Sequence, residues 1–212
     1  MAIEFTTTKD SFDRGGNYLD APGTYHVSVL DANDQPSSNE GKLIDGWKVR
    51  VSVMAGTVAG QEKKEIDITF WNPNLNDDEK KQAKTRGKQA RFLEAVCLID
   101  RHSTGTAKIE LAEANGRQMI VTLTRKQRKD AITGRYVDEE RGLQLNFADV
   151  FHVDDPDAAG FPKHAAAISL LPKNLRRERA YFGVEQHNNG NGKSKSQTNQ
   201  QAVGAGVDLD SL

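Results

Sequence analysis

The chain has little of what would staple, anchor or ligate. A single cysteine, Cys97, stands among 212 residues, which excludes an internal disulfide and any multi-cysteine metal site. The five histidines (His26, His102, His152, His164, His187) are scattered with no pair at ligand spacing, so neither a metal nor a cofactor is expected. No run approaches the ~18 apolar residues of a membrane span, and the opening Met-Ala-Ile-Glu-Phe-Thr-Thr-Thr-Lys lacks the basic and apolar regions of a secretory signal. A soluble cytoplasmic protein with no membrane partner is the expectation. Apolar residues make up only 36%, below the roughly 45–50% of an ordinary globular domain. One core of moderate size fits, with part of the chain outside it.

Net charge is nearly absent too, at −1, which by itself argues against a nucleic-acid binder. Divided by segment, however, the charge is uneven. Residues 1–75 hold 7 basic and 11 acidic side chains, whereas residues 76–147 hold 15 and 11. Residues 148–183 balance at 5 and 5, and residues 184–212 hold 2 and 3. The middle is therefore basic, although a solvated surface of mixed sign accounts for such runs equally well.

What is present is a series of short alternating segments. Residues 1–20 are polar, with Gly15-Gly16, and read as an N-terminal arm. Ala21-Pro22-Gly23 then opens a strand in which Tyr25, Val27 and Val29 alternate with His26 and Ser28. Residues 31–46 read as a loop. A second strand sets Trp47, Val49, Val51 and Val53 against Lys48, Arg50 and Ser52, and a third sets Ile66, Ile68 and Phe70 against Asp67, Thr69 and Trp71. From Asn76-Asp77-Asp78-Glu79, a capping signal, the period becomes helical to about Ile99. Ala83, Ala90, Leu93 and Cys97 fall on one side of this helix and Lys80, Lys84, Lys88 and Arg91 on another. Strands resume with Met119, Val121 and Leu123, and with Leu143, Leu145 and Phe147, separated by a basic, turn-rich stretch at residues 125–135.

The expected fold is mainly β with one inserted helix: an OB-like five-stranded Greek-key barrel over residues 21–155. A C-terminal extension follows at 156–185, with a short helix over residues 173–182. Residues 186–212 are rich in Gln, Asn, Gly, Ser and Lys and read as a disordered linker with an acidic-apolar tip. An open sandwich is the alternative architecture.

A set of motifs carries a family likeness. It comprises Ala21-Pro22-Gly23-Thr24-Tyr25, Trp47-Lys48-Val49-Arg50-Val51, Gly56-Thr57-Val58-Ala59-Gly60-Gln61, Phe70-Trp71-Asn72-Pro73, the basic helix ending Phe92-Leu93, and Asn146-Phe147. Over roughly residues 18–155 these motifs resemble the phage and prophage single-stranded DNA-binding proteins long grouped as a domain of unknown function. The resemblance implies an OB-like fold, single-stranded DNA as partner, a role beside a phage recombinase or replication protein in the host cytoplasm, and no catalytic residue.

Holding a single strand without sequence preference takes cations along the phosphates and aromatic faces for the bases. The candidates are Lys48 and Arg50 on the outer face of their strand, Trp71 with parity opposite to the core, and Lys88 on the helix. Arg125, Lys126, Arg128, Lys129, Arg135 and Tyr136 in the basic stretch complete the set. The same outward positions also suit an indole packed beneath the helix and an ordinary solvated turn. Asp208, Leu209, Asp210 and Leu212 make the tip a candidate for occupying the basic face when DNA is absent and for binding a partner protein. Two other functions stay open. One is a non-enzymatic phage assembly or protein-interaction module; the other is a metal-dependent nuclease using Asp154, Asp155 and Asp157. Oligomeric state is open as well.

Overall fold

A computed structural model of the protein describes residues 17–36, 44–102, 104–106 and 108–183, without the side chains of residues 140 and 141. The expected disordered linker and the tip residues Asp208, Leu209, Asp210 and Leu212 lie outside the described residues, as does most of the N-terminal arm. Among the described residues there are five strands: β1 (Gly23–Asn33), β2 (Gly46–Gly56), β3 (Glu65–Trp71), β4 (Gln118–Lys129) and β5 (Tyr136–His152). They form an antiparallel sheet in the order β3-β2-β1-β4-β5, with helix α1 (Glu79–Ala95) between β3 and β4 in sequence. The chain is thus mainly β with one substantial helix. The closed barrel expected from the sequence is not formed: no ladder joins β3 to β5, and the sheet is open between them.

Side chains span that opening. Phe70 on β3 packs against Phe92 of α1 with ring centroids 4.8 Å apart, and against Phe147 of β5 edge-on at 5.5 Å. Trp47 of β2 stands 6.2 Å from Phe70, so four aromatic rings tie three strands and the helix together. A bulge in β5 delivers Phe147 to this cluster. Val121 and Thr122 of β4 pair with Val150 and Asn146, leaving residues 147–149 without partners on β4. Extra residues in one strand bend it and re-aim its side chains. The rest of the core is the inner face of the sheet, from Tyr25, Val27 and Val29 through Val49 and Val51 to Met119, Val121 and Leu123. Tyr25 lies so close over Gly56 that a Cβ there would overlap its ring, which is why β2 ends on a glycine.

Asp78 caps α1, its carboxylate accepting from the Lys81 N–H at 2.8 Å. The helix stops at Ala95 rather than near Ile99 because Cys97 adopts a left-handed backbone (φ 58°), a conformation that terminates helices. Its buried residues are Gln89, Phe92, Leu93 and Ala95. Ala83 and Ala90, expected on the buried side, are exposed, because the aromatic cluster and not the alanines sets the helix's rotation.

Other expectations change where distant parts of the chain meet. The final residues of the N-terminal arm are ordered against β3, with the Leu19 N–H donating to the Glu65 carbonyl at 2.9 Å and the Leu19 side chain buried. The loop expected from residue 31 begins later, since a bulge after Val29 carries β1 on to Asn33 and turns Ala32 into the core. His26 points to the face of the sheet opposite Tyr25 and Val27 yet is wholly buried. Residues 156–183 cover it, folding as short 3₁₀ turns and a helix α2 (Ala165–Ser169). The short helix expected over 173–182 is instead two 3₁₀ turns, Lys173–Leu175 and Arg179–Phe182. Arg176 pins this cover by a bidentate pair with Asp154, at 2.8 and 2.7 Å.

Candidate nucleic-acid interface

Along the opening between β3 and β5 runs a groove of about 420 Å³. Its walls are β3 from Ile66 to Trp71, the β5 residues Leu143 to Phe147, and Thr85, Lys88 and Gln89 of α1, with Lys126 entering from β4. A second concavity continues it past Lys84, Lys88 and Arg91, sharing Lys88, Gln144, Leu145 and Phe147. The two make one trough with four cations, Lys84, Lys88, Arg91 and Lys126, on its sides.

Trp71 stands at the β3 wall with 60% of its surface exposed, as the alternation with Ile68 and Phe70 requires. It does not pack beneath α1. The helix holds its backbone instead: the Gln89 side-chain amide donates to the Trp71 carbonyl at 3.1 Å and to the Asn72 Oδ1 at 3.2 Å. Buried Gln89 therefore fixes the end of β3 while the indole stays in solvent. On the opposite wall Lys88 Nζ lies 4.6 Å from the centre of the Phe147 ring, and Arg91 Nη1 donates to the Phe147 carbonyl at 2.9 Å. The helix face that carries Lys84, Lys88 and Arg91 thus looks across at β5. Lys84 and Arg91 are not among the sequence candidates, although their i, i+4, i+7 spacing with Lys88 marks one face; only the docking of α1 onto the β5 bulge shows what that face meets.

Lys48 and Arg50 arrive differently. Both reach Asp67 on the neighbouring strand, at 2.9 Å each, because β2–β3 register places Arg50 directly opposite Asp67. Burial pushes the Asp67 carboxyl up, but the hydrogen bonds from Arg50 and Lys48 outweigh it and hold the group below its usual value. Both cations are thus engaged with a carboxylate that itself lines the groove, so they are not the unpaired phosphate ligands their outward parity suggests.

Residues 125–129, part of a basic turn by composition, are strand: β4 continues to Lys129, with Lys129 opposite Tyr136 and Arg128 opposite Val137. Cross-strand pairing with β5 overrides the turn-like composition. Of this stretch only Lys126 lines the groove. Arg125 is half-buried, with its Nη1 atom enclosed and lacking a partner among the described residues. Arg128, Lys129, Arg135 and Tyr136 lie further out on the β4–β5 hairpin, away from the trough lining.

The acidic residues after β5 have structural partners. Asp154 accepts from Arg176 and from the Arg177 N–H at 2.9 Å. Asp155 caps a 3₁₀ turn and lies 3.5 Å from Arg101. Among the described residues no group of three or more His, Cys, Asp or Glu side chains stands together as a metal ligand set. Burial pushes the Cys97 thiol above its ordinary pKa, away from nucleophilic character. In the comparison with known proteins no protein-family model matches the chain and no curated protein matches it, so the likeness to phage single-strand binders rests on the quoted motifs alone.

Proposed function

We propose that the protein is a non-enzymatic, sequence-nonspecific single-stranded DNA-binding protein whose strand lies in the trough between β3 and β5. The observation that carries this reading is the convergence of exposed Trp71 with Lys88 and Lys126 on one groove. A base stacks on the indole while the cations follow the phosphates, which needs no hydrogen-bond readout of sequence. The strand order supports an OB-like description: joining β3 to β5 would close a five-stranded barrel with α1 across its opening. A role in phage recombination or replication, and competition for the trough by residues 207–212, follow the same reading.

Titration of a labelled oligo-dT at two salt concentrations tests it. Replacing Trp71 with alanine is expected to weaken binding by about 1–3 kcal/mol, the usual worth of one stacked base. Replacing Lys88 and Lys126 with alanine should flatten the log–log salt dependence by about 0.7 for each phosphate no longer neutralised. Micromolar protein with no salt-sensitive binding to oligo-dT would overturn the proposal.

The Asp67→Asn variant gives a result of opposite sign. Neutralising Asp67 releases Lys48 and Arg50 beside the groove, so oligo-dT should bind more tightly and with a steeper salt dependence. An unchanged affinity would place both cations outside the strand's path.

The edges of β3 beyond Glu65 and of β5, which no ladder joins, favour a second reading, in which the slot accepts an extended peptide by strand addition as a protein-interaction module. The weakened oligo-dT binding expected of the Trp71→Ala variant separates the two, since strand addition uses backbone groups and not the indole.

A further inference from the structure

The β4–β5 hairpin outruns the sheet. β1 pairs with β4 only from Gln118 to Leu123. Beyond Leu123, β4 pairs with β5 alone, down to Arg125 opposite Leu143 and, after a break that leaves residues 139–142 without partners on β4, from Gln127 opposite Asp138 to Lys129 opposite Tyr136. Six further residues of β4 make a two-stranded ribbon about 20 Å long at ~3.3 Å per residue. Its turn is held firmly. The Asp130 Oδ1 accepts from the N–H groups of Ile132 and Thr133 at 3.0 and 2.6 Å and from the Thr133 hydroxyl at 2.9 Å. The Gly134 N–H donates to the Asp130 carbonyl at 2.9 Å, with Gly134 in the left-handed region (φ 67°). At the apex of this braced turn Ile132 is 94% exposed.

Directly opposed residues share a face of a ribbon. Arg128 with Val137 therefore marks one face, and Lys129 with Tyr136 the other. Arg135 adds a third cation beside the turn. None of these three is in an ion pair among the described residues. The ribbon also carries acids: Asp130 is committed to the turn, Asp138 accepts from Gln127 at 3.2 Å on the face that Lys129 and Tyr136 share, and Glu139 and Glu140 follow nearer the sheet. A ribbon with unpaired cations on both faces is complementary to a groove walled by phosphates on both sides, and B-DNA's major groove is wide enough for one. An aliphatic tip has no π face on which to stack a lone base. It suits insertion at a base step, where apolar side chains act as wedges.

We propose that the β4–β5 arm engages duplex DNA at a single-strand–duplex junction, with Arg128, Lys129 and Arg135 on the duplex phosphates and Ile132 wedged against the terminal base pair. The placement at a junction rests on the single-strand reading of the trough; the duplex contact itself does not. The test uses the full chain and three probes: oligo-dT, a blunt hairpin duplex, and the same duplex carrying an oligo-dT tail, both duplexes with 2-aminopurine in the terminal pair. The tailed duplex should bind at least about fivefold more tightly than oligo-dT, and 2-aminopurine fluorescence should rise on binding as the pair unstacks. Ile132→Ser should abolish the fluorescence rise and leave oligo-dT affinity unchanged. Arg128→Ala with Lys129→Ala should flatten the salt dependence on the duplex probes by about 0.9 for each phosphate no longer neutralised.

Equal affinity for oligo-dT and tailed duplex with no fluorescence change would overturn the arm proposal while leaving the trough reading intact. A fluorescence rise on the blunt duplex with no oligo-dT binding would do the reverse. An Ile132→Ser variant that turns a dimer into a monomer in sedimentation, with duplex binding unchanged, would assign the tip to a second copy of the chain and also overturn the proposal.

Discussion

Replacing Phe92 with alanine should lower the unfolding free energy by about 3–5 kcal/mol, the range for truncating a buried phenylalanine. Phe92 is fully buried and faces Phe70 across the opening of the sheet. In a closed barrel, hydrogen bonds would join the two edge strands and share this work. Here none does, so the helix and its aromatic contacts are what hold β3 near β5. The loss combines the apolar area of one ring, the cavity left behind, and about 0.5–1.5 kcal/mol for each aromatic pair broken. Urea denaturation followed by tryptophan fluorescence measures it. Trp47 lies within the same cluster and Trp71 beside it, so a loosened α1 should also shift emission of the folded state. A loss below about 1 kcal/mol would mean that α1 is not packed as described.

Acidification from pH 7 to pH 4 should remove roughly 3 kcal/mol of stability through His26 alone. His26 lies under the C-terminal extension, with Nδ1 accepting from the His164 N–H at 3.0 Å and Nε2 3.1 Å from the Gln118 Oε1. Because Nδ1 accepts, the single proton of the neutral ring sits on Nε2 and donates to Gln118. A second proton would have to displace the His164 contact in a site with no carboxylate; the charged groups that bear on it are Lys163 and, when protonated, His164, both unfavourable. Burial is the largest cause and lowers the folded pKa from 6.5 to about 4.

Between these values the unfolded chain binds the proton and the folded chain does not. Stability is therefore fully present above pH 6.5 and falls as the pH drops toward 4, by ~1.4 kcal/mol per unit at most. His152 acts in the same direction, its pKa lowered by burial although Asp154 opposes the shift. It too accepts a backbone N–H on Nδ1, from Asp154, and holds the extension through the Leu175 carbonyl at 3.1 Å. The depressed Asp154 and Asp67 carboxyls lose their contribution only below about pH 3.8, outside this window. Urea midpoints at pH 7.5 and 5, with amide exchange across residues 156–183, test the effect. The extension should be released first, and His26→Gln should flatten the pH dependence. Identical midpoints at the two pH values would sink it.

The strands and α1 were legible because their signals are local. Alternation of Val49 and Val51 with Lys48 and Arg50, or of Ile68 and Phe70 with Thr69 and Trp71, needs only neighbouring residues. So does the cap at Asp78. The outward indole of Trp71 followed from parity in the same way. Helix end and strand length were less legible, since Cys97 gives no compositional sign of a left-handed backbone. Residues 125–129 look like a turn until residues 136–143 pair with them. The candidate site shows the same division. Trp71, Lys88 and Lys126 stand out by pattern, but their meeting on one trough depends on α1 docking against the β5 bulge.

An antiparallel mainly-β body, its element order, one capped helix and the faces of its regular strands are thus written in local sequence. These follow from period, capping and turn chemistry, all of which act over a few residues. Long-range packing, in contrast, leaves the sheet open between β3 and β5, sets His26 under a segment more than a hundred residues away, and brings Asp67 to Lys48 and Arg50. Each depends on which distant surfaces pack together, and the free energy of that packing belongs to pairs of segments, not to either one alone.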